Sequence, residues 1–149
     1  DFKPSADGRL FMIDEKNRQW KPKKKAFDGH VLALISGWTH SGGAVFCSYL
    51  LNNDNVTFIG EETGGGHATF TAGNMVLYDL PNSRCQVEIP LILYENYRGK
   101  KTFPKGSGIR PDHKVTQSQK DLINNVDTVM AFALQLARKA ATAKDASEK

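Results

Sequence analysis

Apolar residues recur along the chain with two different spacings, and each change of spacing marks an element. The continuous apolar run Val31-Leu32-Ala33-Leu34-Ile35 is typical of a parallel strand covered on both faces. From about Ser41 to Asn52 the apolar residues return at helical spacing, which predicts a helix with one narrow buried stripe. The run Val56-Thr57-Phe58-Ile59 follows as a second strand. Together the three elements predict a βαβ unit with parallel strands.

The second half of the chain predicts an antiparallel hairpin and a terminal helix. Residues 75–80 and 84–93 alternate well around the turn Pro81-Asn82-Ser83, which favours a hairpin. A final helix is predicted to begin near Asn125 or Asp127. Its expected apolar stripe comprises Val126, Val129, Met130, Ala133, Leu134 and Ala137. We expect the tail from Ala140, which lacks such a stripe, to fray.

The first 27 residues differ in character from the rest. Leu10-Phe11-Met12-Ile13 and Arg18-Gln19-Trp20 flank a polar turn and predict a small hairpin, and the run Lys21-Pro22-Lys23-Lys24-Lys25 reads as a basic linker. We therefore divide the chain into an N-terminal annex, residues 1–27, and a main α/β part, residues 28–149.

Composition and charge exclude several classes of function. The chain has 149 residues, of which 40% are hydrophobic and 24% charged, as expected for one globular domain. No run of about 18 apolar residues occurs, so no integral membrane segment is expected. The net charge of +4 comes largely from lysine runs without interleaved aromatic residues, so no nucleic-acid partner is expected. No metal-ligand spacing and no phosphate-binding loop is found, and hence no metal or cofactor is expected.

The candidate chemistry centres on Thr39-His40-Ser41-Gly42-Gly43, at the bend between the first strand and the helix. A serine hydroxyl becomes a nucleophile when a base lies within hydrogen-bond reach. The amide of Gly42, at the helix start, would be placed to stabilise a developing oxyanion. The alternative is that Ser41 or Thr39 simply caps the helix. The local sequence leaves both interpretations open.

A second candidate feature is the glycine loop, residues 60–66, with the sequence Gly-Glu-Glu-Thr-Gly-Gly-Gly. It leaves the second parallel strand at the sheet edge where ligands bind in open α/β folds, and the Ser41 bend shares that edge. We interpret its glycines as permitting the close approach of a substrate backbone. Glu62 is a candidate for binding substrate or orienting a base, and His67, which could reach the same edge, is a candidate for the base. For both residues the alternative is an ordinary solvent-exposed loop position.

Five sequence pieces in one order carry a family resemblance. They are Thr-x-Ser-Gly-Gly, Gly-Glu-x-Thr-Gly-Gly-Gly, Leu-Pro-Asn-Ser, Ile-Pro and Gly-Ile-Arg-Pro-Asp. From about Phe27 to Val115 the chain resembles the C-terminal half of the catalytic domain of the S41 serine peptidases. That family includes tail-specific (C-terminal processing) proteases, tricorn core proteases and interphotoreceptor retinoid-binding proteins, and the likeness is strongest to members from Bacteroides-like bacteria. The resemblance implies a ClpP/crotonase-like α/β core, here as an incomplete domain, with Ser41 as nucleophile and Gly42 as an oxyanion donor.

Two departures from the family pattern shape the expected mechanism. Tail-specific proteases carry a dyad lysine at the end of the glycine loop, where this chain has Gly66. The chain is therefore similar to the tricorn-like branch, in which a histidine of the upstream half serves as base. The family's upstream oxyanion segment is also absent from these residues. We expect the fragment by itself to be inactive.

The resemblance sets the expected function, partners and location. It implies a serine-type endopeptidase that hydrolyses peptide or protein substrates through an acyl-enzyme. The alternative is a non-catalytic module that binds a ligand or peptide on the same fold, as the retinoid-binding relatives do. The resembling bacterial peptidases are exported, so a periplasmic or cell-surface location is expected. Apolar surface exposed by the division of a domain would favour a homodimer or strand exchange.

Overall fold

The computed structural model describes residues 2–8, 10–12, 23–73, 75–95, 101 and 103–147. Within these residues strands and helices are mixed, which confirms the predicted α/β class. The strands are β1 (Phe2–Pro4), β2 (Leu10–Met12), β3 (Val31–Ile35), β4 (Val56–Gly60), β5 (Thr69–Thr71), β6 (Met75–Asp79), β7 (Gln86–Pro90), β8 (Leu93–Glu95) and β9 (His113–Lys114). The helices are α1 (Gly42–Leu50), α2 (Gln119–Ile123) and α3 (Thr128–Ser147).

The centre of the fold is a parallel sheet in the order β3-β4-β9. Val31 pairs with Val56 and Ile35 with Gly60, and α1 connects the two strands, so the predicted βαβ unit is confirmed. The short strand β9 adds to the other side of β4 through the pair Ile59 and His113. Parallel strands end at the same edge, so the segments that follow β3 and β4 emerge side by side.

The core packs α1 against this sheet. Its buried cluster comprises Ile35, Cys47, Leu51, Val56, Phe58 and Ile109. The predicted stripe of α1 is confirmed, because Ala44, Cys47, Ser48 and Leu51 are all buried. Burial raises the pKa of the Cys47 thiol, which keeps it protonated as an ordinary core residue. Ile109 enters this cluster from the segment before β9, so that segment is anchored to the core.

The predicted hairpin is confirmed, but its second arm is shorter than expected. β6 and β7 pair antiparallel from Met75 with Pro90 to Asp79 with Gln86. The chain then leaves this ladder at Pro90, which has no N–H to donate to a neighbouring strand. Residues 93–95 form the separate strand β8, which pairs with β5. The strands β5 and β8 were not predicted from the sequence because each is only three residues long.

At the N-terminus β2 pairs antiparallel with β1. The turn between them is closed by a hydrogen bond from the Gly8 amide to the Ser5 carbonyl oxygen, and Gly8 has a positive φ of 81°. The predicted strand at Leu10–Met12 therefore exists with an unforeseen partner. The other predicted arm, residues 18–20, lies outside the described residues.

Two features of the C-terminal region correct the sequence predictions. The short helix α2 was missed; Ser118 and Asp121 form a capping box at its start, and their hydrogen bonds lower the pKa of the Asp121 carboxyl. The last helix starts close to the predicted position, but α3 continues to Ser147 instead of fraying at Ala140. Alanine and lysine are strong helix formers, which accounts for the extension.

The buried face of α3 is also rotated from the predicted stripe. Ala133 is buried and Val129, Phe132 and Leu136 are half-buried, whereas Met130 and Leu134 are exposed. These four covered positions recur at helical spacing, and the helix contacts β3 and β4. The sequence contained two overlapping apolar stripes, and tertiary packing selected the one that includes Phe132.

Candidate active site

The bend after β3 and the glycine loop after β4 lie against each other, as their positions in the sheet predicted. The Gly65 amide donates a 3.1 Å hydrogen bond to the carbonyl oxygen of Thr39. A Cβ atom on Gly64 would stand 2.2 Å from the carbonyl oxygen of Gly37. We call residues 36–41 the Ser41 turn. It is held internally by a 2.8 Å hydrogen bond from the Thr39 amide to the Ser36 carbonyl oxygen.

Ser41 occupies the N-cap position of α1 in an unusual backbone conformation. Its φ is 49° and its ψ is −128°, and its side chain makes no capping hydrogen bond. A positive φ is uncommon for a residue with a side chain and persists only where the surrounding structure enforces it. The same combination of strand, sharp strained turn and helix presents the nucleophilic serine of the α/β-hydrolases. The Ser41 side chain is exposed and does not act as the helix cap.

The start of α1 leaves room for a reacting group beside Ser41. A Cβ atom on Gly42 would meet no atom within 4 Å, so the helix start is open on that side. The amides of a first helical turn have no partner within the helix and can donate to an incoming oxygen. The first turn of α1 contains no acidic residue that would oppose negative charge there.

The glycines of the loop are required by packing within the protein. Gly60 has a φ of 123°, and a Cβ atom there would stand 2.1 Å from the Ile35 carbonyl oxygen. A Cβ atom on Gly65 would lie 2.5 Å from the Cβ of Ala44 and 3.4 Å from the Ser41 nitrogen. The sequence suggested that these glycines admit a substrate backbone. The structure shows that Gly64 and Gly65 admit the backbone of the Ser41 turn, whereas Gly60 admits the backbone of β3 and Gly66 that of Thr69.

Glu62 joins the glycine loop to the Gly-Ile-Arg-Pro-Asp segment, residues 108–112. Its Oε1 accepts a 2.9 Å hydrogen bond from the amide of Gly108. Its Oε2 lies 3.5 Å from the Nε of Arg110. Both carboxylate oxygens thus have partners within the protein, and these contacts favour a role in joining the two segments.

His67 is buried, with 7% of its surface exposed, so it is not the exposed loop histidine considered from the sequence. Its Nδ1 lies 3.1 Å from the Ser107 carbonyl oxygen, and its Nε2 lies 3.4 Å from the amide nitrogen of Phe103. The Phe103 ring also packs edge-on against the imidazole at 5.3 Å. The tautomer that satisfies both contacts has Nδ1 as donor and Nε2 as acceptor. These contacts hold the imidazole against the segment that precedes Gly108.

Asp112 ends the 108–112 segment and fastens it to β4. Its Oδ2 accepts a 2.8 Å hydrogen bond from the Phe58 amide, and its own amide donates at 2.8 Å to the Phe58 carbonyl oxygen. Its Oδ1 lies 3.0 Å from the Nζ of Lys101. Burial opposes ionisation of this carboxyl, but the Phe58 hydrogen bond and the Lys101 ammonium outweigh it and lower the Asp112 pKa.

Thr63 is a residue of this site that the sequence reading passed over. It is buried, with 4% exposure, although its neighbours Glu62 and Gly64 are exposed. The available signal was its position as a lone hydroxyl residue between two acidic residues and three glycines. Such a signal is weak, because threonine is common in exposed loops.

The fold and the site define a class of protein: an α/β protein that presents a strained serine between a parallel strand and a helix. A sequence model of peptidase family S41 matches residues 5–115. The chain therefore belongs to peptidase family S41. The matched range contains the region of resemblance, Phe27 to Val115, and also most of the residues assigned to the annex. No curated protein matches the chain.

None of the helices in the described residues combines the length and apolar character needed to cross a membrane. No group of three or more histidine, cysteine, aspartate and glutamate side chains in the described ranges is arranged to hold a metal ion.

Proposed function

We propose that Ser41 is the nucleophile of a serine endopeptidase and that the amide of Gly42 is one of its oxyanion donors. The backbone of Ser41 carries this proposal: it is strained, lies between strand and helix, and leaves the hydroxyl unused as a cap. Membership of a peptidase family supplies the class of substrate, a peptide or protein. The parallel sheet and the position of Ser41 support a ClpP/crotonase-like core.

In the proposed reaction Ser41 Oγ bonds to the carbonyl carbon of an extended peptide, and its proton passes to a base. The Gly42 amide stabilises the charge that develops on the carbonyl oxygen. The C–N bond then breaks, the leaving amine takes the proton from the base, and an acyl-enzyme remains. Water attacks the acyl carbon and gives up a proton to the base. The bond between the acyl carbon and Ser41 Oγ then breaks, the acid product leaves, and the base returns the proton to Ser41 Oγ.

From the similarity to the tricorn-like branch of the family, we infer that the base is a histidine of the upstream half of the catalytic domain. Both ring nitrogens of His67 face backbone groups of other segments, and both oxygens of Glu62 are engaged with Gly108 and Arg110. Neither side chain is free to serve Ser41 without breaking these contacts. The chain by itself is therefore expected to be inactive, since loss of even one oxyanion donor costs about 10²–10³ in rate.

Hydrolysis of peptides blocked at both ends tests this proposal. The complete peptidase should cleave them, and Ser41→Ala should abolish cleavage without unfolding the protein. Ser83→Ala is the matched control, since Ser83 lies in the β6–β7 turn and should not affect turnover. Cleavage that persists in Ser41→Ala would contradict the proposal. A folded wild-type protein that binds peptides but never cleaves them would instead support the binding-module alternative.

A further inference from the structure

The glycine loop, which packs against the Ser41 turn, is bonded to the 108–112 segment in part through the buried hydroxyl group of Thr63. Thr63 Oγ1 donates a 2.8 Å hydrogen bond to the carbonyl oxygen of Gly65 and accepts one of 2.8 Å from the amide of Ile109. The Thr63 amide donates in turn to the Ile109 carbonyl oxygen at 3.1 Å. A buried hydroxyl is stable only when its hydrogen bonds are made, and here both are made to backbone groups of functional segments.

The far end of this connection is the backbone of Ser41 itself. The carbonyl oxygen of Gly65 accepts the hydrogen bond from the Thr63 hydroxyl, and the Gly65 amide donates one to the Thr39 carbonyl oxygen. Gly65 also packs closely against Ser41, since a Cβ atom on Gly65 would lie 3.4 Å from the Ser41 nitrogen. Ile109, at the near end, is fully buried in the core. One path of contacts from the core to Ser41 therefore runs through Ile109, Thr63 and Gly65.

Thr63 is also closely packed against the 108–112 segment. A Cβ atom on Gly108 would stand 2.0 Å from the Thr63 carbonyl oxygen and 2.6 Å from its hydroxyl oxygen. The hydroxyl is thus in close contact with Gly108, Ile109 and Gly65. A side chain that is closely packed can hold the backbone groups bonded to it in place, whereas a mobile side chain cannot.

We propose that Thr63 is a positioning residue, whose hydroxyl holds the Ser41 turn in its strained conformation by bridging Ile109 and Gly65. A positive φ at Ser41 needs neighbours that over-determine it. The Ser41 side chain makes no capping bond, so the restraint comes from what packs against its backbone. The catalytic consequence rests on the proposed function of Ser41; the structural consequence does not.

Three variants separate this role from a general contribution to folding. Thr63→Val keeps the shape of the side chain and removes the hydroxyl, whereas Thr63→Ser keeps the hydroxyl and removes the methyl group. Thr57→Val is the matched control: the Thr57 hydroxyl also makes a 2.8 Å contact, with His30 Nε2, but on β4 away from the Ser41 turn. All three are made in the complete peptidase.

The first measurement is the rate at which a fluorophosphonate labels Ser41. Thr63→Val should slow labelling by about 10- to 100-fold, because small displacements of a reacting group have effects of this size. Thr63→Ser should restore most of the rate, and Thr57→Val should label like the wild type. Wild-type labelling by folded Thr63→Val would overturn the proposal. So would equal slowing in the two valine variants.

The second measurement is hydrogen exchange of the Gly65 amide, which does not depend on catalysis. Thr63→Val should speed exchange at Gly65, because its bond to Thr39 loses support, and Thr63→Ser should not. Unchanged exchange in Thr63→Val would overturn the positioning role even if Ser41 is the nucleophile. Absence of any wild-type labelling, with the expected change in exchange, would instead contradict the proposed function and leave the positioning of the turn supported.

Discussion

The amide of Gly65 and the carbonyl oxygen of Thr39 are joined by a 3.1 Å hydrogen bond, which fixes the glycine loop against the turn that presents Ser41. The two residues lie in the segments that follow the neighbouring parallel strands β3 and β4. The contact is possible because Gly65 has no side chain. The glycine loop thus acts as a support for Ser41, and Gly64 and Gly65 are required by the limited space beside the turn.

Replacement of Gly65 by alanine should disrupt the site. The added Cβ would lie 2.5 Å from the Cβ of Ala44 and 3.1 Å from the Cα of His40, so the turn would have to move. We expect a loss of about 1–3 kcal/mol in the free energy of unfolding, as for other overpacked sites, and slower fluorophosphonate labelling. Gly37→Ala is the control, since a Cβ atom there meets nothing within 4 Å. Equal labelling by both variants would show that the contact does not position Ser41.

The sequence was sufficient to predict the elements that depend on local pattern. The apolar run at Val31, the helical spacing after Ser41 and the alternation around Pro81 all lead to confirmed elements. The short pairing of β5 with β8 could not be predicted, because three-residue strands carry no periodic signal. The predicted buried face of α3 was wrong because two apolar stripes on this helix satisfy helical spacing. Only the contacts with β3 and β4 distinguish the two stripes.

The candidate site was predictable in outline only. The sheet edge shared by Ser41 and the glycine loop follows from the order of parallel strands. The burial of His67 and the bridging role of Thr63 do not, since both depend on where residues 103–109 return to the sheet. That return is a long-range contact, and a single sequence contains no local signal for it.

Glu62→Gln tests whether the Glu62 carboxylate takes part in catalysis. A glutamine oxygen can still accept the Gly108 hydrogen bond, and loss of an exposed ion pair with Arg110 costs about 0–1 kcal/mol. We therefore expect nearly unchanged peptide hydrolysis. Glu62→Ala should lower stability further, by about 1–3 kcal/mol, because the buried Gly108 amide loses its acceptor. A folded Glu62→Gln protein without activity would show that the Glu62 carboxylate takes part in catalysis.

His67→Phe tests whether His67 is the base or a structural residue. The substitution keeps a ring beside Phe103 but removes both backbone contacts, so we expect about 1–3 kcal/mol of destabilisation in thermal or denaturant unfolding. The rate of fluorophosphonate labelling at Ser41 should still fall at acid pH, as in the wild type, since a different histidine is the proposed base. We call this fall the acid limb of the pH profile. Disappearance of that limb in the folded variant would identify His67 as the base.

Asp112 should make stability depend on pH in the acid range. Its pKa lies below the ordinary value of 3.8, so the folded state binds fewer protons than the unfolded state as the pH falls toward that value. Its contribution is complete above the unfolded pKa and is lost as the pH falls through the lowered folded pKa. When the free energy of unfolding is measured by denaturant from about pH 6 to pH 2, it should fall less steeply with decreasing pH in Asp112→Asn than in the wild type. Identical slopes would mean that the carboxylate charge contributes nothing to folding.

The central claim is that Ser41 is the nucleophile, and covalent labelling tests it most directly. The complete peptidase is treated with a fluorophosphonate, digested, and the modified residue located by mass spectrometry. The account predicts one adduct on Ser41, no labelling of Ser41→Ala, and normal labelling of Ser83→Ala. An adduct on another serine, or labelling that survives in Ser41→Ala, would contradict it.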